Sequence, residues 1–168
     1  VPGSGILTEH FPIGTQIPLG GVARLMIAFS DNTATNLVID QIGLPSTAAA
    51  MEQLGCPNTK LNSKVYRREL SIFPERSQQF GLGSTTAREM ISLLERLENG
   101  QLVSTEASKL MKQHMLACDD ATKLKRFLPA GTKMAHKTGA VSATRTDAGL
   151  IESPSGPIAV CVLTNDNK

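Results

Sequence analysis

Two short groups of residues could carry chemistry. Residues 30–32 read Ser-Asp-Asn where one apolar helical pattern ends and the next begins, and residues 137–139 read Lys-Thr-Gly within a strand-like run. A serine hydroxyl at a helix junction could move a proton, and a lysine beside a hydroxyl and a glycine could hold a carboxylate along a strand. Each group also has a plain structural interpretation, because the first could cap a helix and the second could lie on a solvated edge.

The composition excludes several other classes of function. The 168 residues include 17 Lys and Arg and 15 Asp and Glu, and the short run 123–126 is the densest basic cluster, so nucleic-acid binding is not indicated. No apolar run approaches the roughly 20 residues of a membrane span. The cysteines, Cys56, Cys118 and Cys161, lack C-x-x-C spacing and the histidines lack metal-ligand spacing, so no metal and no cofactor are predicted.

The pattern of apolar residues predicts helices followed by strands. Helical spacing predicts helices after Pro18, at 33–42, at 45–54, from Thr86, after Ser104 and at 119–128, with a long loop at 56–84. Residues 133–141, 144–152 and 157–164 are predicted strands of an antiparallel meander. This order favours an α+β fold in one structural domain, with a mostly helical region at 1–132 and the strands at 133–168.

In their order and separation the two motifs resemble those of class A β-lactamases and penicillin-binding proteins, whose signature is Ser-x-x-Lys, Ser-Asp-Asn and Lys-Thr-Gly. The stretches at 24–27, 33–37, 84–90 and 128–132 are similar to the same family, so the resemblance covers essentially the whole chain. It implies a β-lactamase/transpeptidase-like fold that is incomplete at both ends.

The resemblance assigns a role to each residue of the first motif. Ser30 relays a proton to the leaving lactam nitrogen, and Asn32 binds the amide of the substrate side chain. Asp31 points inward and stabilises the helix junction. Lys137 is expected within hydrogen-bond reach of Ser30.

The second motif is implied to bind the substrate. Lys137 attracts the substrate carboxylate, Thr138 is a second contact, and the strand beyond Gly139 lies alongside the acylamide. The backbone N–H of Val141 would complete the oxyanion hole. Arg145 could place a guanidinium beside the carboxylate pocket, or it could be an exposed charge at the strand edge.

The loop at 56–84 resembles the omega loop of the family, which carries a glutamate that activates the deacylating water. Glu69 lies close to the expected distance before Thr86, whereas Glu75 lies too near the end of the loop. The asparagine that accompanies this glutamate in the family is absent, since Phe73 stands four residues after Glu69. Glu69 is therefore either the base or a solvated charge, and in the second case the chain resembles a slowly turning over penicillin-binding protein.

The third motif of the family, Ser-x-x-Lys, is not found upstream of Ser30. The chain is therefore expected to lack an N-terminal segment that carries the nucleophile, together with two strands and a C-terminal helix, and to be inactive alone. The run at 158–163 is apolar at every position, so both of its faces are expected to need burial, and at least one face needs elements expected to lie outside this chain. In the chain alone an apolar face of the sheet is therefore expected to be exposed.

The resemblance implies a serine hydrolase that opens a β-lactam through an acyl-enzyme, in a periplasmic or secreted location. One alternative is a D-alanyl-D-alanine peptidase or transpeptidase, whose substrate would be peptidoglycan-like. Another is a non-catalytic module that uses Ser30, Lys137 and Thr138 to bind a carboxylate ligand.

Overall fold

The computed structural model describes Val1 and residues 3–167. It contains two compact units, Val1–Glu89 and Met90–Lys168. Helices precede a three-stranded antiparallel sheet, so the predicted α+β class is confirmed. Within the described residues, none of the helices has the length and apolar character needed to span a membrane.

The first unit is mainly helical. Its elements are α1 (Leu7–His10), α2 (Leu19–Ala28), α3 (Asn32–Ile42), α4 (Leu44–Gln53), β1 (Lys60–Leu61), a 3-10 turn (Arg68–Leu70), α5 (Pro74–Phe80) and β2 (Gly83–Ser84). The core joins Leu7, Val22 and Ala34, so α1, α2 and α3 pack together. Gly43 ends α3 with a φ of +79°, a value that residues with side chains rarely adopt.

The segment at 56–84 is more ordered than the predicted loop. It contains α5 and an antiparallel pair in which Lys60 lies opposite Ser84. Pro74 starts α5 in the first turn and Gly81 ends it with a φ of +74°. Both are ordinary helix boundary signals, but the seven residues of α5 are too few and too polar to show an apolar stripe.

The second unit packs helices on a meander. It holds most of α6 (Ala87–Glu98), then α7 (Thr105–Leu116), a 3-10 turn (Leu124–Phe127), β3 (Met134–Val141), β4 (Thr144–Ser153) and β5 (Gly156–Thr164). The strand order is β3-β4-β5, as predicted. Ala135 and Leu150 lie opposite each other and pack against Leu94 and Leu97 of α6. Because side chains alternate along a strand, His136, Thr138 and Asp147 lie on the other face of the sheet.

Strand β5 is only partly covered. Ile158 is 51% exposed, Val162 39% and Leu163 38%. These exposed apolar side chains agree with the expectation that the chain alone leaves an apolar face of the sheet uncovered.

The prediction of a helix at 119–128 is wrong, because only the 3-10 turn Leu124–Phe127 forms there. The Asp120 carboxylate accepts hydrogen bonds from the backbone N–H and the hydroxyl of Thr122, at 2.9 and 2.5 Å. The Leu124 N–H bonds to Asp147 instead of to an earlier carbonyl. Side-chain acceptors thus take the donors that a first helical turn would use.

The N-terminus of α7 provides a test of local stability. The Ser104 hydroxyl accepts a hydrogen bond of 3.1 Å from the Ala107 N–H. We expect Ser104→Ala to lower the free energy of unfolding by about 1 kcal/mol, the usual contribution of such a cap. Urea denaturation followed by circular dichroism measures this, with Ser155→Ala in the β4–β5 turn as the control. An unchanged midpoint for Ser104→Ala would show that the cap adds no stability.

Candidate active site

Asp31 organises the helix junction of the first motif. Its side chain is 1% exposed, and one carboxylate oxygen accepts hydrogen bonds from the backbone N–H groups of Ile6 and Leu7, at 2.7 and 2.8 Å. The other oxygen accepts from the Ala34 N–H at 2.8 Å, which caps α3. One buried carboxylate therefore satisfies unpaired donors at the starts of two helices.

Ser30 and Asn32 flank this buried carboxylate and are both half-buried. Ser30 has a φ of +52°, in the left-handed region that a residue with a Cβ enters at a cost of about 1–3 kcal/mol. The Asn32 N–H donates to the Ser4 carbonyl at 3.0 Å, and its side-chain amide lies against Gly3. A Cβ at Gly3 would come within 2.6 Å of the Asn32 Nδ2, so glycine there leaves room for the amide.

Asn36 of α3 holds the following loop in place. Its Oδ1 accepts a hydrogen bond of 2.8 Å from the Val65 N–H, and its Nδ2 donates one of 3.1 Å to the Val65 carbonyl. Asn36 was not among the site residues predicted from the sequence. A polar residue on the otherwise apolar side of a helix was the available signal.

Glu69 lies in the 3-10 turn that follows this anchor. Its side chain is exposed and forms an ion pair with the Arg67 Nε. The hydrogen bond from Arg67 holds the pKa of Glu69 below its ordinary value, so the carboxylate stays ionised near neutral pH. Phe73 precedes α5 and Glu75 lies in the first turn of that helix.

The Lys-Thr-Gly motif lies in the middle of β3. Lys137 is half-buried and its Nζ donates a hydrogen bond of 2.6 Å to the Thr138 carbonyl. Burial lowers the pKa of the Lys137 ammonium. Thr138 is 8% exposed. Gly139 pairs with Thr146, and a Cβ at Gly139 would lie 2.5 Å from the Thr146 hydroxyl, so a side chain there would require that hydroxyl to move.

Val141 and Arg145 lie at the turn between β3 and β4. Val141 ends β3 and is 67% exposed. The Arg145 Nη1 donates to the carbonyls of Val141, Ser142 and Thr144 at 2.8–3.0 Å. Arg145 therefore holds the turn together while its charge remains exposed.

Two further buried groups were missed as site residues. His136 is 0% exposed, and its Nδ1 lies 2.9 Å from Oδ1 of the buried Asp147. Burial acts to lower the pKa of His136, but the hydrogen bond to Asp147 and the interaction with Cys118 raise it to about 9. The sequence alone gave little indication of this pair, because His136 and Asp147 can be matched only when the register of the β3–β4 hairpin is known.

A charged segment follows α7. The Lys123 Nζ donates a hydrogen bond of 2.6 Å to the Asp120 carboxylate. Burial acts to raise the pKa of Asp120, but hydrogen bonds from Lys123, Thr122 and Thr138 hold it well below its usual range.

Across Val1 and residues 3–167, no group of three or more His, Cys, Asp and Glu side chains could hold a metal ion.

A family model described as the beta-lactamase enzyme family matches residues 1–168. The chain belongs to this family. A β-lactamase of Bacillus licheniformis is 30% identical over 161 residues, which cover 93% of this chain and 50% of the relative. "Beta-lactamase 3" of Bacillus cereus is 29% identical over 161 residues, with 93% and 49% covered. The chain thus spans about half the length of these curated relatives.

Solved structures of the β-lactamase family share the fold. The β-lactamase of Sphaerobacter thermophilus DSM 20745 superposes with a TM-score of 0.85 at 28% identity, covering 98% of this chain and 60% of that chain. A mutant of PBP-A, in an acyl-enzyme complex with penicillin G, gives a TM-score of 0.82 at 27% identity, with 100% and 61% covered. The predicted β-lactamase/transpeptidase-like architecture is therefore confirmed.

Proposed function

We propose that this chain supplies the Ser-Asp-Asn and Lys-Thr-Gly parts of a β-lactamase-type serine hydrolase. The observation that carries the proposal is strand β3, where a half-buried lysine, a buried threonine and a glycine close to the Thr146 hydroxyl follow one another. In such a hydrolase, β3 can present the Lys137 ammonium and the Thr138 hydroxyl to a carboxylate on a lactam.

The proposed reaction is acyl transfer in two steps. A serine Oγ from a Ser-x-x-Lys segment attacks the lactam carbonyl, the carbonyl C–N bond breaks, and the lactam nitrogen takes up a proton. Water then hydrolyses the resulting ester and releases the serine. We assign proton transfer to Ser30 and binding of the substrate side-chain amide to Asn32, while Asp31 holds both in place.

We assign recognition of the lactam to the end of β3. Lys137 and Thr138 bind the carboxylate, and Gly139 allows the acylamide to approach the backbone. The Val141 N–H stabilises the oxyanion. Arg145 contributes positive charge, with its Nη1 held by the carbonyls of the turn.

Glu69 is the proposed activator of the deacylating water. Its carboxylate pairs with Arg67, and Phe73 stands four residues later at the position where the family has an asparagine. This observation favours a second candidate, a penicillin-binding peptidase or transpeptidase that acts on a peptidoglycan-like substrate and releases its acyl group slowly. The lifetime of the acyl-enzyme separates the two candidates, since a β-lactamase deacylates rapidly.

The experiment is acylation of the complete reading frame that contains this chain. The expressed protein is incubated with a fluorescent penicillin and denatured, and the label is located by mass spectrometry, while nitrocefin hydrolysis is measured in parallel. We expect covalent label or turnover that is lost when the serine of Ser-x-x-Lys becomes alanine. A folded product without that motif, or one that neither labels nor hydrolyses nitrocefin, would leave the carboxylate-binding module as the function. By the same family argument we propose a periplasmic or secreted location, which fractionation of the native host tests.

A further inference from the structure

The carboxylate of Asp147 joins two parts of the second unit behind the Lys-Thr-Gly strand. Its Oδ1 receives the Nδ1–H of His136 on β3 at 2.9 Å, and its Oδ2 receives the backbone N–H of Leu124 at 3.0 Å. Asp147 is 2% exposed and His136 0%, so both bonds are shielded from water. Neither bond belongs to the regular pairing of the sheet.

The Asp147 carboxylate lies beside Thr138 of the proposed substrate site and is bonded to the segment that carries Lys123. In the β3–β4 register Asp147 stands directly opposite Thr138. The residue before Leu124 is Lys123, which binds Asp120 at 2.6 Å and is 19% exposed in its side chain. A shift of the Leu124 backbone would therefore carry the Lys123 and Asp120 charges with it.

We propose that His136 and Asp147 are positioning residues, which fix the segment 120–124 against β3 and so set the charge that surrounds Lys137 and Thr138. The inference rests on the proposed function, because it concerns the carboxylate of the same substrate. On this proposal, His136 and Asp147 face away from Lys137 and still influence how strongly the Lys137 ammonium attracts the substrate carboxylate.

The charges of the segment act on Lys137 in opposite directions. Burial lowers the pKa of Lys137, Cys118, Asp120 and Asp147 raise it, and Lys123 lowers it. The paired Asp120 and Lys123 thus act on the Lys137 ammonium with opposite signs. Releasing the segment from Asp147 would change the net field at the ammonium.

The backbone is built to accommodate the pair. His136 stands opposite Gly149, and a Cβ at Gly149 would lie 2.3 Å from the Ala135 carbonyl oxygen and 2.5 Å from the His136 Cβ. A side chain at position 149 would therefore push the backbone of β3 away from β4 at His136, so the close approach that brings His136 to Asp147 depends on this glycine.

The pair also gives an expected pH dependence. The groups that act on His136 are Asp147 on β4 and Cys118 after α7, and together they raise its pKa to about 9. A raised histidine pKa stabilises the folded state fully below the ordinary value near 6.5, and the stabilisation is lost as pH rises through about 9. Urea midpoints of the chain and of His136→Gln should therefore differ most at pH 6 and converge by pH 10, and Cys118→Ser should keep this convergence. A constant difference would show that the imidazole does not titrate against Asp147.

The positioning role is tested by comparing benzylpenicillin with its methyl ester, which lacks the carboxylate. Binding of each to the chain is measured by NMR titration, and the Leu124 amide signal reports the anchor. We expect Asp147→Asn to move that signal and to weaken binding of the acid by about tenfold while leaving the ester unchanged. Glu152→Gln, a more exposed carboxylate on the same strand, is the matched control.

The outcomes distinguish the two proposals. Equal weakening of acid and ester by Asp147→Asn, or no weakening, would overturn the positioning role while leaving the proposed function intact. A wild-type chain with no preference for the acid would overturn the carboxylate site and this inference together. His136→Gln removes the bond that holds the Asp147 carboxylate to β3, and it gives the same comparison if Asp147→Asn does not fold.

Discussion

Replacing Asp31 with alanine is expected to lower the free energy of unfolding by about 4 kcal/mol, since three N–H groups lose an acceptor at roughly 1–3 kcal/mol each. The donors belong to Ile6, Leu7 and Ala34, so the change loosens the starts of α1 and α3 together. Urea denaturation of the chain measures the loss. Asp31→Asn should lose less, because the amide keeps one acceptor oxygen.

The matched control for Asp31 is Asp40→Ala. Asp40 is an exposed carboxylate on α3 that pairs with Lys64, and an exposed pair of this kind contributes at most about 1 kcal/mol. If Asp31→Ala and Asp40→Ala shifted the midpoint equally, the buried carboxylate would not organise the junction.

Replacing Lys137 with alanine should weaken binding of benzylpenicillin by about 30-fold, because a hydrogen bond to a charged group contributes roughly 1.5–3 kcal/mol. Its half-buried ammonium has less competition from water than a surface lysine has. The methyl ester of benzylpenicillin should bind both proteins alike. NMR titration of the chain measures both affinities.

Lys133→Ala serves as the control for this second change. Lys133 directly precedes β3 and its side chain is 71% exposed, with its Nζ 3.9 Å from the Glu152 Oε2. If Lys133→Ala and Lys137→Ala reduced affinity by the same factor, general attraction of anions would explain the binding and the assigned role of Lys137 would be wrong.

Periodic patterns were sufficient to predict most of the regular structure. The helices α2, α3, α4, α6 and α7 and all three strands of the meander lie within a few residues of their predicted positions. Each buries a face whose apolar residues recur at the period of the element, so the local sequence carries the information.

The wrong predictions share a different physical cause. At 119–128 the apolar residues have helical spacing, but the Asp120 side chain and the distant Asp147 capture the donors of Thr122 and Leu124. In α5 the boundary residues are present without an apolar stripe. Tertiary contacts and turn chemistry outweigh periodicity in both segments.

Prediction of the candidate site was similarly uneven. The two motifs stand out because their residues are adjacent in sequence, and the resemblance supplied their roles. His136 and Asp147 are eleven positions apart, and they meet only because the hairpin register places Thr138 opposite Asp147. The sequence shows no such pairing until the position of the turn is known.

The left-handed backbone of Ser30 lowers the stability of the fold at the position where the proposed reaction needs a hydroxyl. Glycine adopts this conformation without steric cost and asparagine tolerates it well, but neither has a hydroxyl that can pass a proton. Selection for robustness alone would favour replacing the serine, whereas the proton transfer proposed for Ser30 requires its hydroxyl. A screen of this chain for solubility or heat resistance therefore rewards the loss of the hydroxyl, and a screen of the complete protein for lactam turnover would retain it if the proposed role is correct.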